Sequence, residues 1–253
     1  MKELLLNNSN AVRTPVLPEV KQLINNTIVD YDRILPPTSS IVQWLQPVVD
    51  LSEFYVYPTN GITEGLNWWM AHEHRSITID QGDYQWVIPT NIGKECIHYQ
   101  SVPSAVDGNF SSIRTDVPVA LDLAYIGSTI IKQIQIPQNV EFVFYSLSKS
   151  FGVRNIRTGW IFTRNEDMRL RSLIYDAKYY NYFAHDVAES ILRNFAIDYI
   201  YHRLRGEQER VCDFIGAIPS DSVWLATTLS DDYAKFRRRE NIARLSLNGL
   251  YKL

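Results

Sequence analysis

The sequence predicts an α/β protein, with a mainly parallel sheet flanked by helices and a small, shortened α+β part at its C-terminal end. Three observations carry this. "VPVALDLAY" and "VEFVFYSLS" are continuous apolar runs, the pattern of strands buried on both faces. Strand-like and helix-like runs alternate up to about residue 164, which argues crossover connections between parallel strands. From residue 166 the pattern turns helical, and the chain closes with two short strand candidates, "SVWLATT" and "NIARLSLNGL".

Taken in order, residues 1–18 read as extended, punctuated by Pro15 and Pro18, and "PEVKQLINNTI" as a short helix. "SSIVQWLQPVV" is a second short helix that stops near Pro47. "EFYVYPTNGITEGLNWWMAHEH" is a strand, a glycine turn and an amphipathic helix. "SITID" and "ECIHYQSV" are strands, followed by the loop "PSAVDGNFSS"; "GWIFTR" is a further strand after the two apolar runs. The division expected is an N-terminal arm over 1–30, a large domain over 31–164 and a small domain over 165–253. No internal repeat or low-complexity linker interrupts it.

Composition narrows the function classes. At 253 residues the chain affords a sizeable core, and 45% hydrophobic with 21% charged residues is ordinary for a soluble globular protein. A net charge of −3 provides no general attraction to nucleic acid or to an anionic membrane. Two cysteines, Cys96 and Cys212, are too few for a disulfide framework and fit a reducing compartment. "MKELLLNNSNAVR" makes neither a signal sequence nor a membrane span, so the cytoplasm is expected. "HEH" at 72–74 is not read as a metal site, because helix residues two apart point about 200° from each other. "KFRRRE" at 235–240 is read as a solvated face.

Three constellations point to chemistry. In "TNGITEGLNWW", Gly61 opens a helix that Glu64 is placed to cap, leaving the Ile62 and Thr63 amides at a positive helix end. In "ALDLAY", Asp122 stands at the end of a buried strand, where an ionised carboxylate requires a cation, and Tyr125 follows three residues on. In "FYSLSKSFGVRNIRTGW", an apolar strand delivers Ser146, Ser148 and Lys149 together, with Arg157 eight residues later. Alone, each fits ordinary structure: a strand-to-helix turn, a capping Asp, a loop lysine. Together they offer a phosphate cradle, a carboxylate wanting a cation and an amine wanting an electrophile. Pyridoxal 5'-phosphate, with its phosphate, protonated ring nitrogen and aldehyde, satisfies all three.

"SLSKSFGVRNIRTG" closely resembles the Schiff-base lysine motif of the fold-type I pyridoxal-phosphate aminotransferases: Ser146, Lys149, Gly152, Arg157 and Gly159 match, and Thr158 departs from the usual aliphatic residue. "DLAY" is similar to the family's D-x-x-Y, which implies Asp122 on the pyridine nitrogen and Tyr125 on the ring hydroxyl. "GITEGLN" resembles its phosphate turn, implying Gly61, Ile62 and Thr63 there, and "DYQW" supplies Tyr84 as the aromatic stacked on the ring. "ARLSLNGL" resembles the segment whose arginine binds the substrate α-carboxylate, hence Arg244. "LNNSNAVRTPVLPEVKQLI" and "VDYDR" are similar to the arm and tyrosine segment of histidinol-phosphate-type aminotransferases, which implies a homodimer in which Tyr31 reaches the neighbouring site's phosphate.

The chain departs from the family in being short and in its N-P-x-G turn, present only as "SAVDG". Ala105 stands where the Asn is expected, with Asp107 and Asn109 as nearby polar substitutes. The resemblance implies transfer of an amino group between an amino acid and a 2-oxo acid, with Lys149 and Asp122 catalytic. A lyase, decarboxylase or epimerase on the same scaffold is the alternative, because cofactor contacts do not decide which bond breaks. A weakly catalytic cofactor-binding protein is the rival from another class.

Overall fold

The structure, a computed structural model, describes residues 12–33 and 35–252; the first 11 residues of the expected arm lie outside the described residues. Two short helices, α1 (Pro18–Asn25) and α2 (Thr38–Leu45), precede the first sheet. Its elements are β1 (Tyr55–Thr59), α3 (Ile62–His72), β2 (Ser76–Ile79), β3 (Cys96–Ser101), β4 (Val119–Asp122), β5 (Val140–Ser146), the one-turn helix α4 (Leu147–Ser150) and β6 (Gly159–Thr163). The spatial order is β1-β6-β5-β4-β3-β2. β2 to β5 run parallel, whereas β6 lies antiparallel to both β5 and β1.

Both faces of this sheet are covered, which is why β4 and β5 are continuously apolar. Leu121, Val143 and Tyr145 face one layer, with Ile41 of α2 and residues of the later helices; Ala120 and Phe144 face the other, with Leu66 and Trp69 of α3. Trp69 packs on Tyr99, Phe142 and Phe144, with ring centroids 5.8–6.4 Å apart. Truncating such a buried indole to alanine costs about 3–5 kcal/mol.

The helical stretch after β6 is broken rather than continuous. α5 (Met168–Arg171) runs into a π-helical turn (Ser172–Asp176), α6 (Tyr182–Asn194) starts afresh where the Asn181 side chain accepts from the Ala184 amide, and α7 (Tyr199–Ile215) ends at Gly216 with φ +70°. A second, antiparallel sheet follows in the order β7-β8-β10-β9: β7 (Ile218–Pro219), β8 (Leu225–Thr228), β9 (Arg237–Arg239) and β10 (Ile242–Ser246). It packs on α7 through Val211, Cys212 and Ile215 against Ala226, Ala243 and Leu245. The two terminal strands β7 and β9 are too short to show a sequence period. Among the described residues, no helix is long and apolar enough to cross a membrane.

Candidate active site

Parallel register brings strand ends together. Ser101, Asp122 and Ser146 are the last residues of β3, β4 and β5, and Ser101 lies beside Asp122 in the ladder. The loops beyond those ends enclose a cavity of about 210 Å³, at the position where open α/β sheets bind ligands. Ile62, Thr63, Tyr84, Asp122, Tyr125, Ser146, Lys149, Arg157 and Arg244 all line it. Residues separated by most of the sequence thus meet at one place.

The start of α3 is built by Asn60, Gly61 and Glu64. Glu64 reaches back past the Gly61 cap to accept from the Asn60 amide (2.5 Å) and from its side-chain amide (3.0 Å). With glycine at the cap there is no reciprocal side-chain bond, so the expected capping box is only half formed and displaced by one residue. Gly61 has φ +81° and ψ +169°, a conformation open essentially to glycine alone. A Cβ there would lie 2.7 Å from Arg157 Nη2. Arg157 Nη2 donates to the Asn60 carbonyl (2.8 Å), which fixes the guanidinium against the helix start. Backbone amides in the first turn have no partner within the helix. Those amides, the Thr63 and Ser146 hydroxyls and the guanidinium therefore form a donor-rich set, suited to an anion.

Asp122 is fully buried, accepting from the Tyr99 hydroxyl (2.5 Å) and the Ala124 amide (2.7 Å). Burial pushes its carboxyl up to about 7, against those two hydrogen bonds. Lys149 sits in α4, at the end of β5. Burial first, and then the Arg244 charge, bring its amine down to about 8, while Asp122 pulls the other way. Its Nζ donates to the Val12 carbonyl (2.5 Å), and Thr14 Oγ1 donates to the Ser148 carbonyl (2.7 Å). Residues 12–15 thus lie across the lysine turn, and Gly152 is required there because a Cβ would meet the Pro15 carbonyl oxygen at 2.2 Å. Tyr84 and Tyr125 have their hydroxyls raised above the ordinary range, chiefly by burial. Arg244, on β10, donates to the Ala105 carbonyl.

Tyr31 is 81% exposed and does not line this chain's cavity. Asp107 and Asn109 do not reach the cavity either: they bind Asn109 N and Asp221 N and shape the turn. Sequence reasoning missed Tyr99, Asp83 and Val12. It also misassigned the basic run. Arg237 and Arg239 are exposed, but Arg238 between them is half-buried and lines the cavity, because side chains alternate along β9. Burial, and then Arg244, lower its guanidinium to about 10. His72 is placed as its sequence position implies, Nδ1 bonding the Trp68 carbonyl in the last turn of α3 (2.8 Å).

No family model matches the sequence, and no curated protein does. Solved structures do match the fold. A PLP-bound C–S lyase from Staphylococcus hominis superposes with a TM-score of 0.68 at 14% identity, over 94% of this chain and 86% of that one. An aromatic aminotransferase from Pyrococcus horikoshii OT3 gives 0.66 at 10% identity (92% and 88%). A histidinol-phosphate aminotransferase from Sinorhizobium meliloti, in complex with pyridoxal 5'-phosphate, gives 0.62 at 13% (93% and 84%). The chain therefore has the fold-type I architecture that these aminotransferases and this C–S lyase share.

Proposed function

We propose that the chain is a pyridoxal 5'-phosphate enzyme that moves an amino group between an amino acid and a 2-oxo acid. One observation carries the reading: a buried amine, Lys149, and a buried carboxylate, Asp122, line the same cavity, whose wall is a helix start and a guanidinium. The residues fit the cofactor. The Ile62 and Thr63 amides, Ser146 and Arg157 match a phosphate; Gly61 does not itself line the cavity but leaves room for the Arg157 guanidinium, which a Cβ would strike. Asp122, buried with its carboxyl raised, gains the cation it lacks from a protonated ring nitrogen. Tyr84 offers an aromatic face and Tyr125 a hydroxyl.

When bound, the cofactor supplies an aldehyde that captures amines and a ring that accepts the electrons released at the substrate Cα. The protein does the rest. Lys149 holds the group covalently through Nζ and, once released, moves the Cα proton; with its amine lowered to about 8, half of it is neutral near pH 8, where an ordinary lysine is almost wholly charged. Tyr99 holds Asp122 in place. Arg244 orients the substrate carboxylate. Val12, buried over the lysine, excludes water. Reduction with borohydride followed by peptide mapping tests the assignment: the pyridoxyl group is expected on Lys149, and finding it elsewhere overturns the reading.

A carbon–sulfur or related lyase is the second reading, favoured by the C–S lyase fold match and by Ala105 at the ring-tuning position. Titration with a panel of amino acids separates the two. One 2-oxo acid per site in the absence of an acceptor supports amino transfer, and continuous release of ammonia supports elimination. The same reading includes a homodimer. Ile28 and Tyr31 are exposed, and Leu35, Tyr55 and Tyr175 line a shallow depression that a second copy would cover.

A further inference from the structure

Four residues that line the cavity are joined by one run of hydrogen bonds with Asp83 at its centre. Asp83 Oδ1 accepts from Ser101 Oγ (2.6 Å) and from the Tyr84 amide (2.7 Å), and its Oδ2 accepts from the Ser101 amide (3.2 Å). Ser101 Oγ in turn accepts from the Ala105 amide (2.7 Å), and the Ala105 carbonyl accepts from Arg244. The carboxylate is 6% exposed, so its charge is costly to keep there. Three donors converge on it, and only an acceptor-only side chain satisfies all three; asparagine would turn an N–H toward one of them.

The placement is more specific than core support requires. Tyr84, Ser101 and Ala105 all face the cavity, and Ser101 is the ladder neighbour of Asp122. Ala105 itself has no side-chain donor, so the wall at this turn is ordered from behind. We infer that Asp83 is a positioning residue: through Ser101 and the Ala105 turn it sets where Arg244 presents its guanidinium, and through the Tyr84 amide it sets the aromatic wall. The inference rests on the proposed function only in what the two walls hold.

The test uses Asp83→Ala, Asp83→Asn, Ser101→Ala and Ser101→Thr, with two readouts. First, the cofactor-free protein is labelled with phenylglyoxal and the Arg244 peptide is followed by mass spectrometry, with Arg157 as the internal comparator. Asp83→Ala and Ser101→Ala should raise the Arg244 rate about tenfold, the factor set by loss of one hydrogen bond to a charged group. Ser101→Thr, which keeps the hydroxyl, should label like the wild type, and Asp83→Asn, which keeps an acceptor, should fall between. Second, after loading with pyridoxal 5'-phosphate, the circular dichroism of the bound-cofactor band should weaken in the two alanine variants and recover in Ser101→Thr. Unchanged Arg244 labelling in Asp83→Ala, failure of Ser101→Thr to rescue, or a uniform rise across all arginines in Asp83→Asn would overturn the inference. A wild-type protein that takes up no cofactor would overturn the proposed function, and the labelling experiment would still decide the role of Asp83.

Discussion

Arg157 and Asn60 are locked together: the guanidinium Nη2 donates to the Asn60 carbonyl at 2.8 Å, directly over the bare Cα of Gly61. The anion-facing end of α3 is therefore a three-residue device in which a charge, a carbonyl and an absent side chain depend on one another.

Gly61→Ala tests that dependence. The backbone conformation costs a non-glycine residue roughly 1–3 kcal/mol, and the added carbon would drive Arg157 away. The expected result is a lower melting temperature together with cofactor affinity reduced at least tenfold, measured by absorbance titration.

Asp122 should make the cofactor-free protein less stable as pH rises. Its folded pKa of about 7 exceeds the ordinary carboxyl value of 3.8, so the folded state binds the proton more tightly. The stability this contributes is complete below about pH 4 and is lost as pH passes through 7, on the order of a few kcal/mol. Lys149 has the opposite sign, since its lowered pKa of about 8 adds stability only as pH rises above that value. Thermal melting between pH 5 and 8 should show a falling trend in the wild type that Asp122→Asn flattens. Adding cofactor should also flatten it.

Arg244→Lys should weaken substrates that carry a carboxylate while leaving cofactor affinity almost untouched. The lost guanidinium fork corresponds to roughly 2 kcal/mol. Michaelis constants for amino acids should rise and those for amines lacking the carboxylate should not; equal changes would assign the arginine another task.

Tyr31 is tested by mixing. Lys149→Ala and Tyr31→Phe chains, re-equilibrated together, should recover full cofactor affinity at about one site per mixed dimer if the tyrosine is donated to the neighbour. Mixed dimers without recovery would leave Tyr31 with no role at the site.

Much of the parallel sheet was legible because burial on both faces leaves an unbroken apolar run, as in β4 and β5, and because Gly61 and Lys149 fall at strand ends with distinctive neighbours. The second sheet was only half legible. β7 and β9, two and three residues long, display no period, so Arg238 was hidden inside what looks like a solvated charge run. The break between α5 and α6 escaped because both flanks keep helical spacing and only the Asn181 cap marks the restart. Asp83 and Tyr99 carry no motif; their importance comes from partners supplied by other strands. Val12 acts through its carbonyl, which every residue possesses.

The contact between Val12 and Lys149 spans 137 positions of sequence, and that between Ala105 and Arg244 spans 139. Closing such long loops is entropically slow, and contacts of this kind form late in folding. A chain emerging from the ribosome has its lysine turn well before β10 exists, and at that stage the cavity lacks the Arg244 side of its wall. Capture of a small aldehyde by Lys149 during synthesis would thus meet an open, unselective surface. Only with β10 in place does the cavity have the Arg244 wall that can discriminate among carbonyl compounds.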